Sequence, residues 1–256
     1  MLSPQLMLPA KLAAIPPLGA ALTRLVDYGW PRTRSSAVAR TRHIDDLVNE
    51  AVARGARQLL ILGAGFDTRA QRLEAVRGLA IFEVDHPATQ ALKLSRLAAT
   101  ATSPVRFVAV DFEKDDLEGA LLGAGFDSAV PTIVIWEGVV SYLTSASVEK
   151  NFSMLERLLA PRSRLIFTYV HRGAIDGTAQ FAEARRWKAV VRASGEPFLF
   201  GFEPSELGEY LRVRGFELAS DASTSEVARI YNERYRRSEA GSELYRVAVA
   251  DRVERS

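Results

Sequence analysis

The 256 residues include no cysteine, which excludes a disulfide framework, a thiolate zinc site and a cysteine nucleophile. Folding must then rest on core packing, and a reducing cytoplasm is the expected compartment. Histidine is scarce too. His43, His86 and His171 are scattered along the chain, so no metal site is expected. No stretch reaches the ~18 to 20 uninterrupted apolar residues of a spanning helix. The apolar start, Leu2 to Leu22, is broken by Pro4, Pro9, Pro16 and Pro17 and lacks the basic flank of a signal peptide, so no membrane partner is expected. Neither sign of charge dominates: 33 Lys and Arg stand against 31 Asp and Glu. A net charge of +2 and a pI near 9.0 are too mild to argue for nucleic acid.

What is present suits one large α/β domain over residues 1–256, with 48% hydrophobic and 25% charged side chains to build its core and surface. Residues 1–34 read as a cap or lid, or as a leader outside the fold. Through residue 42 six basic side chains (Lys11, Arg24, Arg32, Arg34, Arg40 and Arg42) face one acid, Asp27. This is either a draw for an anionic substrate or a solvated basic surface.

From about Ser36 the positions Ile44, Leu47, Val48, Ala51 and Val52 fall at helical spacing and end at Gly55. The continuous apolar run Gln58 to Leu62 then reads as a parallel strand buried on both faces. The alternation continues with a helix from about Thr68, a strand at Ala80 to Asp85 and a helix after Pro87. A strand at Val105 to Val110, a helix near Asp115 to Leu122 and a strand at Thr132 to Trp136 follow. This is the signature of a doubly wound, mostly parallel Rossmann-like sheet. A helix carrying Val148, Phe152, Leu155 and Leu159 precedes a strand at Arg164 to Val170. Residues 171–200, with a helical stretch around Phe181 to Val191, read as an insertion on the substrate side. Pro204 to Arg214 reads as a helix with proline in its first turn. Phe216 to Ala219 and Leu244 to Asp251, around a polar helical segment, read as an antiparallel C-terminal edge.

The chemistry gathers at strand ends. The first strand runs into Gly63-Ala64-Gly65-Phe-Asp67, where glycines let backbone amides approach a ligand closely. A nucleotide fingerprint would place a third glycine at position 68, occupied here by Thr68. Asp67 would repel a pyrophosphate but tolerates a ligand with an amino group and a cationic sulfur. The second strand ends Glu83-Val-Asp85-His86-Pro87, with Asp85 22 residues after Gly63, the spacing at which such folds hold a ribose diol. Glu83 and Asp85 share a face; Asp85, at the carboxyl end, is the favoured ligand and Glu83 the loop support. Capping of the helix at Pro87 is the alternative role for Asp85, and it is compatible with ligand binding. Asp111-Phe112 ends the third strand and Glu137 the fourth. Four strand ends carrying acids and glycines converge on one crevice.

Arg40-Thr-Arg-His-Ile-Asp-Asp, Gln58 to Arg69 (QLLILGAGFDTR), Phe82 to Pro87 (FEVDHP) and Glu137 to Thr144 (EGVVSYLT) resemble the leucine carboxyl methyltransferase family. That family includes bacterial polyketide carboxyl O-methyltransferase-like proteins, and the resemblance spans roughly residues 35–170. It implies a class I methyltransferase fold binding S-adenosylmethionine. Arg40 would hold the methionine carboxylate, with Gly63, Ala64, Gly65 and Asp67 under the methionyl part. Asp85, with His86 beside it, would take the ribose, Asp111 and Phe112 the adenine, and Glu137 would lie near the methionine amino group. An arginine on a carboxylate is a strong, bidentate-capable pair. Family members usually carry a longer N-terminal region than the 35 or so residues that precede the match here, which bears on the substrate side.

Methyl transfer from a sulfonium is an in-line displacement, so the protein's main task is to hold the reacting atoms aligned. A carboxylate acceptor is already ionised near neutrality and needs no general base, whereas a hydroxyl usually does. The expected activity is therefore O-methylation of a carboxylate, or of a hydroxyl, on a small-molecule or natural-product acceptor. Tyr142, Tyr169, His171 and Arg172, at or beyond the fourth and fifth strand ends, are the catalytic candidates, with His171 as a possible base and Arg172 as a partner for an acidic substrate. Two other readings compete. A nicotinamide oxidoreductase is disfavoured by Thr68 and by the lack of a Tyr-x-x-x-Lys pair, and a non-catalytic S-adenosylmethionine-binding protein would bind the cofactor without turning it over.

Overall fold

Successive side chains of a strand point to opposite faces, so a run without polar residues must be covered twice. Leu60 and Leu62 enter one hydrophobic cluster, and Leu59 and Ile61 enter another on the opposite face of the sheet. The computed structural model describes residues 32–97, 105–193, 195–236 and 238–254. Seven strands form its sheet: β1 Gln58–Leu62, β2 Ala80–Asp85, β3 Val105–Ala109, β4 Thr132–Trp136, β5 Arg164–Val170, β6 Phe216–Ser223 and β7 Tyr245–Arg252. Their order is β3-β2-β1-β4-β5-β7-β6. The first five pair in parallel, and β7 runs antiparallel between β5 and β6. The order turns about β1, flanked by β2 and β4, and this switch point opens a crevice beyond the carboxyl ends of the strands.

The helices are α1 Thr33–Ala53, α2 Arg69–Arg72, α3 Pro87–Leu94, α4 Leu117–Gly123, α5 Ser145–Leu158, α6 Arg172–Asp176, α7 Ala184–Ala193, α8 Pro204–Arg212 and α9 Thr224–Tyr235. Helix α1 covers one face with Ile44, Leu47, Val48 and Ala51 against Ile133, Ile135 and Ile166. Helices α4, α5 and α8 cover the other, where Phe152 packs its ring against Trp136, Phe167, Phe202 and Tyr210. Helix α9 lies on α1 through Val227, Ala228 and Tyr231 against Ala39. Among the described residues no helix is long and apolar enough to cross a membrane.

The doubly wound, mostly parallel sheet with its antiparallel C-terminal strands is as the pattern predicts; three elements depart from it in extent. Helix α1 starts at Thr33 rather than Ser36, so residues 33 and 34 of the expected cap are helix, and residues 1–31 lie outside the described residues. The helix expected from Thr68 is one turn long: the chain extends at Leu73 (φ −82°, ψ 119°) and a 3-10 turn, Glu74–Val76, buries Val76 instead. Strand β6 runs on to Ser223. Its polar half was illegible because an edge strand keeps one side in water, and an irregularity between Leu218 and Ser220 interrupts its alternation. Both pairings of the C-terminal edge, β5 with β7 and β7 with β6, are antiparallel as expected.

Phe152 is fully buried, so Phe152→Ala should cost about 3 to 5 kcal/mol of unfolding free energy. The exposed Val213→Ala should cost within about 0.5 kcal/mol. Urea denaturation of both variants checks the contrast.

Candidate active site

The turn after β1 is pressed against the turn after β4. Gly63 has φ +66°, and a Cβ there would lie 2.2 Å from Val139 Cγ2, so no larger residue fits without displacing the Val139 side chain. Gly65 has φ +46°, yet its nearest neighbour beyond an added Cβ is the Gly63 carbonyl at 3.9 Å; its open side faces the crevice. The turn is tied down by the Ala64 amide on the Val84 carbonyl (3.0 Å) and the Asp67 amide on the Ala64 carbonyl (2.7 Å). The Gly65 amide donates to the Asp85 carboxylate, whose other oxygen accepts from the His86 amide at 2.7 Å. Asp85 therefore clamps the glycine turn to the end of β2. Each of its oxygens keeps a further lone pair for a ligand. It does not cap α3: that role falls to His86, whose Nδ1 accepts from the Ala88 amide at 3.2 Å.

Behind the turn lies a network of charges. Arg69 is 3% exposed; its Nε donates to Asp45 (2.8 Å), and its Nη1 to Asp67 (2.5 Å) and to Glu137 (2.7 Å). Arg72 makes a two-pronged contact with Asp45 at 2.6 and 2.8 Å, and Arg40 Nε donates to Glu137 at 2.6 Å. Three arginines thus face three carboxylates, the balance that buried charge requires. Burial would raise the Glu137 carboxyl, but the Arg40 and Arg69 guanidiniums outweigh it and hold Glu137 below the usual carboxylate range.

Glu83, 1% exposed, is ion-paired with Lys93 of α3, whose Nζ also donates to the Asp67 carbonyl at 2.7 Å. Glu83 reaches the loop through this lysine, while Asp85 faces the crevice. Lys93 escaped the sequence reading, although an acid inside a strand buried on both faces calls for a partner cation. Arg69 and Asp45 were in view only as motif letters, with no role attached.

The crevice has two compartments that share Gly63, Gly65 and Phe66. The smaller, about 380 Å³, is bounded by Arg40, Asp67, Arg69, Glu137 and Gly138. The larger, about 820 Å³, is bounded by Asp85, His86, Asp111 and Phe112, with Leu92, Val110, Val139 and Leu143 as its apolar wall and Glu196 at its rim. The structure therefore brings all ten proposed cofactor-site residues to one crevice. Asp111 is itself engaged, accepting from Lys114 Nζ at 2.9 Å and from the Glu113 amide at 3.1 Å.

The catalytic candidates do not gather with them. Tyr169 is fully buried among Phe167 and Phe202 on the face opposite α1, its hydroxyl donating to Asp221 at 2.8 Å. Strand alternation, unread at that position, is the cause. His171 accepts from the Gly173 amide at 3.0 Å to cap α6 and packs on Phe181. Arg172 is exposed and paired with Glu206 at 2.9 Å. None of the three borders either compartment. Tyr142 is nearer, in the 3-10 turn Val140–Tyr142 between Val139 and Leu143, with its ring against Phe198.

Two outcomes follow. A depressed carboxyl contributes stability that is complete above its unfolded value and lost as pH falls through its folded value. Glu137→Gln should therefore melt well below wild type at neutral pH, with the gap closing as pH falls below about 4; a gap constant with pH would contradict the pairing. Lys93→Met leaves Glu83 unpaired and should lower unfolding free energy by about 3 to 5 kcal/mol, whereas the joint replacement Glu83→Gln with Lys93→Met should recover part of that loss in the same urea titration.

The leucine carboxyl methyltransferase family model matches residues 19–156, more than half of the chain. A candidate S-adenosyl-L-methionine-dependent methyltransferase of Mycobacterium avium (strain 104) is 34% identical over 224 residues, covering 81% of this chain and 71% of its own. In structure the chain is similar to a candidate methyltransferase from Thermobifida fusca YX, with a TM-score of 0.66 at 17% identity over 93% of this chain and 89% of the other. It is also similar to magnesium protoporphyrin IX methyltransferase from Synechocystis PCC 6803 solved with S-adenosylhomocysteine. There the TM-score is 0.52 at 16% identity over 86% of each chain. At these identities the structures speak for the fold alone, a class I methyltransferase fold. The sequence matches carry the assignment: the chain belongs to the leucine carboxyl methyltransferase family.

Proposed function

We propose that this S-adenosylmethionine-dependent methyltransferase transfers its methyl group to a carboxylate oxygen of a small, largely apolar acceptor. The observation that carries the reading is that, among the described residues, none of the candidate bases Tyr142, Tyr169 and His171 borders the crevice. His171 Nδ1 is committed to the α6 cap, and Tyr169 is fully buried on Asp221. Burial, with Tyr245 and Glu196 nearby, pushes the Tyr142 phenol well above its ordinary value. A hydroxyl acceptor would need a proton acceptor of the kind these groups fail to supply, and a carboxylate needs none.

The residues fit the cofactor. The open side of Gly65 leaves a cradle that a Cβ would fill, and backbone amides meet Asp85 there. Arg40 engages Glu137 through Nε, and among the described residues its terminal nitrogens donate to no other group, which suits them to the methionine carboxylate. Asp85 would take the ribose, Asp111 and Phe112 the adenine, and Glu137 would answer the amino group. When bound, S-adenosylmethionine supplies an electrophilic methyl on a sulfonium. The chain's part is to align the acceptor and exclude water, with Val139, Leu143 and the Glu196 to Phe200 segment as the acceptor wall. That segment is hung by the Leu199 and Phe200 amides on the Ser141 carbonyl at 2.8 and 3.2 Å.

The test is a panel of carboxylic acids and matched alcohols and phenols offered with methyl-labelled S-adenosylmethionine. Label released as methanol by mild alkali marks an ester and is the expected result; label in an alkali-stable product would overturn the carboxylate reading. His171→Ala should keep turnover within about twofold, against the roughly 10²-fold or greater loss expected of a general base.

A further inference from the structure

We infer that Tyr245 is a positioning residue of the cofactor crevice, steadying Arg40 with its ring and the Glu137-Gly138 turn with its hydroxyl. The inference rests on the cofactor reading above. Tyr245 opens β7 opposite Val170 of β5. Alternation puts it on the α1 face together with Val247 and Val249, where a valine would satisfy the packing. A phenol there is 6% exposed, and both of its ends are used.

The ring lies beneath the Arg40 guanidinium, whose carbon is 5.1 Å from the ring centroid. A cation over an aromatic face is attracted by the ring's quadrupole, more strongly where water is excluded. Arg40 is thus held between the Glu137 carboxylate on one side and the Tyr245 ring on another. The hydroxyl lies 3.1 Å from Thr168 Oγ1, which accepts from the Gly138 amide at 2.8 Å. Gly138 has φ +70°, and a Cβ on it would come within 4.0 Å of the Tyr245 hydroxyl. The phenol therefore sits against the turn that carries Glu137, linked to it through one threonine. Trp187 of α7 packs on the same ring, with centroids 6.0 Å apart. One side chain thus joins the α1 arginine, the β4 turn and the substrate-side insertion.

Hydrogen counting adds a point. The Tyr245 and Thr168 hydroxyls bring two hydrogens to a contact that uses one. One hydroxyl hydrogen stays available beside Glu137 and Gly138, whichever oxygen donates.

The test is calorimetric titration of the full chain with S-adenosylhomocysteine, with melting temperatures recorded for every variant. Tyr245→Leu should weaken binding by about 3- to 30-fold, and adding it to Arg40→Gln should bring little further loss, because the two residues act as one unit. Tyr245→Phe keeps the ring and should stay closer to wild type. Should the leucine variant fail to fold, the near-isosteric pair Tyr245→Phe and Thr168→Val carries the test. Each should weaken binding by about 2- to 10-fold, and the double variant should lose no more than the weaker single one. Wild-type affinity in these variants, or losses that multiply in the double variants at unchanged melting temperature, would overturn the role of Tyr245 alone. A wild-type chain that binds no S-adenosylhomocysteine would overturn this role and the cofactor reading together.

Discussion

Everything at the mouth of the sheet is arranged around the buried guanidinium of Arg69. One cation touches α1 through Asp45, the glycine turn through Asp67 and the end of β4 through Glu137. Three segments far apart in sequence are fixed by one planar group with five donors in a rigid fork. A lysine would offer its three donors from a single nitrogen on a flexible stem, without the rigid spread between Nε and Nη1. Such a pairing adds little net stability in itself, because desolvating the charges costs about as much as their attraction returns. Its effect is on geometry: a partner left alone in this crevice would be a buried, uncompensated charge, so alternatives to the observed arrangement are heavily penalised.

Two further constraints act on the same turn. Gly63 meets Val139 so closely that β1 and β4 leave no room for a side chain between their loops, and Lys93, paired with Glu83, holds the Asp67 carbonyl from below. The turn is thereby fixed from the sheet, from α1 and from α3, while the free side of Gly65 remains open. A site held on rigid elements by locked supporting groups can align two reactants without large motions. That suits a displacement reaction, in which alignment is the main requirement.

The legible parts of the sequence were those where one physical signal dominates. Largely apolar runs located β1, β2, β4 and β5 to within a residue, because strands covered on both faces admit few polar residues, each with a buried partner. The acids and glycines at the strand ends were legible because parallel topology sends every carboxyl end to the same side. What escaped required knowing which face a residue takes. Tyr169 and Thr168 are neighbours in sequence, yet one enters the core beside Asp221 and the other reaches the Gly138 amide. Lys93 and Arg69 were missed because a charged residue in a short helix looks like surface until its buried partner is located. The Ser223-x-x-Glu226 capping box of α9 was present in the sequence as a start signal and would have ended β6 at the right residue. The polar outer half of that edge strand carried no hydrophobic pattern to read.

The central claim is that the crevice between β1 and β4 is shaped for S-adenosylmethionine, with Asp67 and Thr68 standing where a dinucleotide would need a glycine-lined phosphate seat. Parallel calorimetric titrations of the intact chain with S-adenosylmethionine and with NADH test it most directly. The account predicts saturable binding of S-adenosylmethionine and none of NADH. Binding of NADH, or no binding of S-adenosylmethionine by well-folded protein, would contradict it.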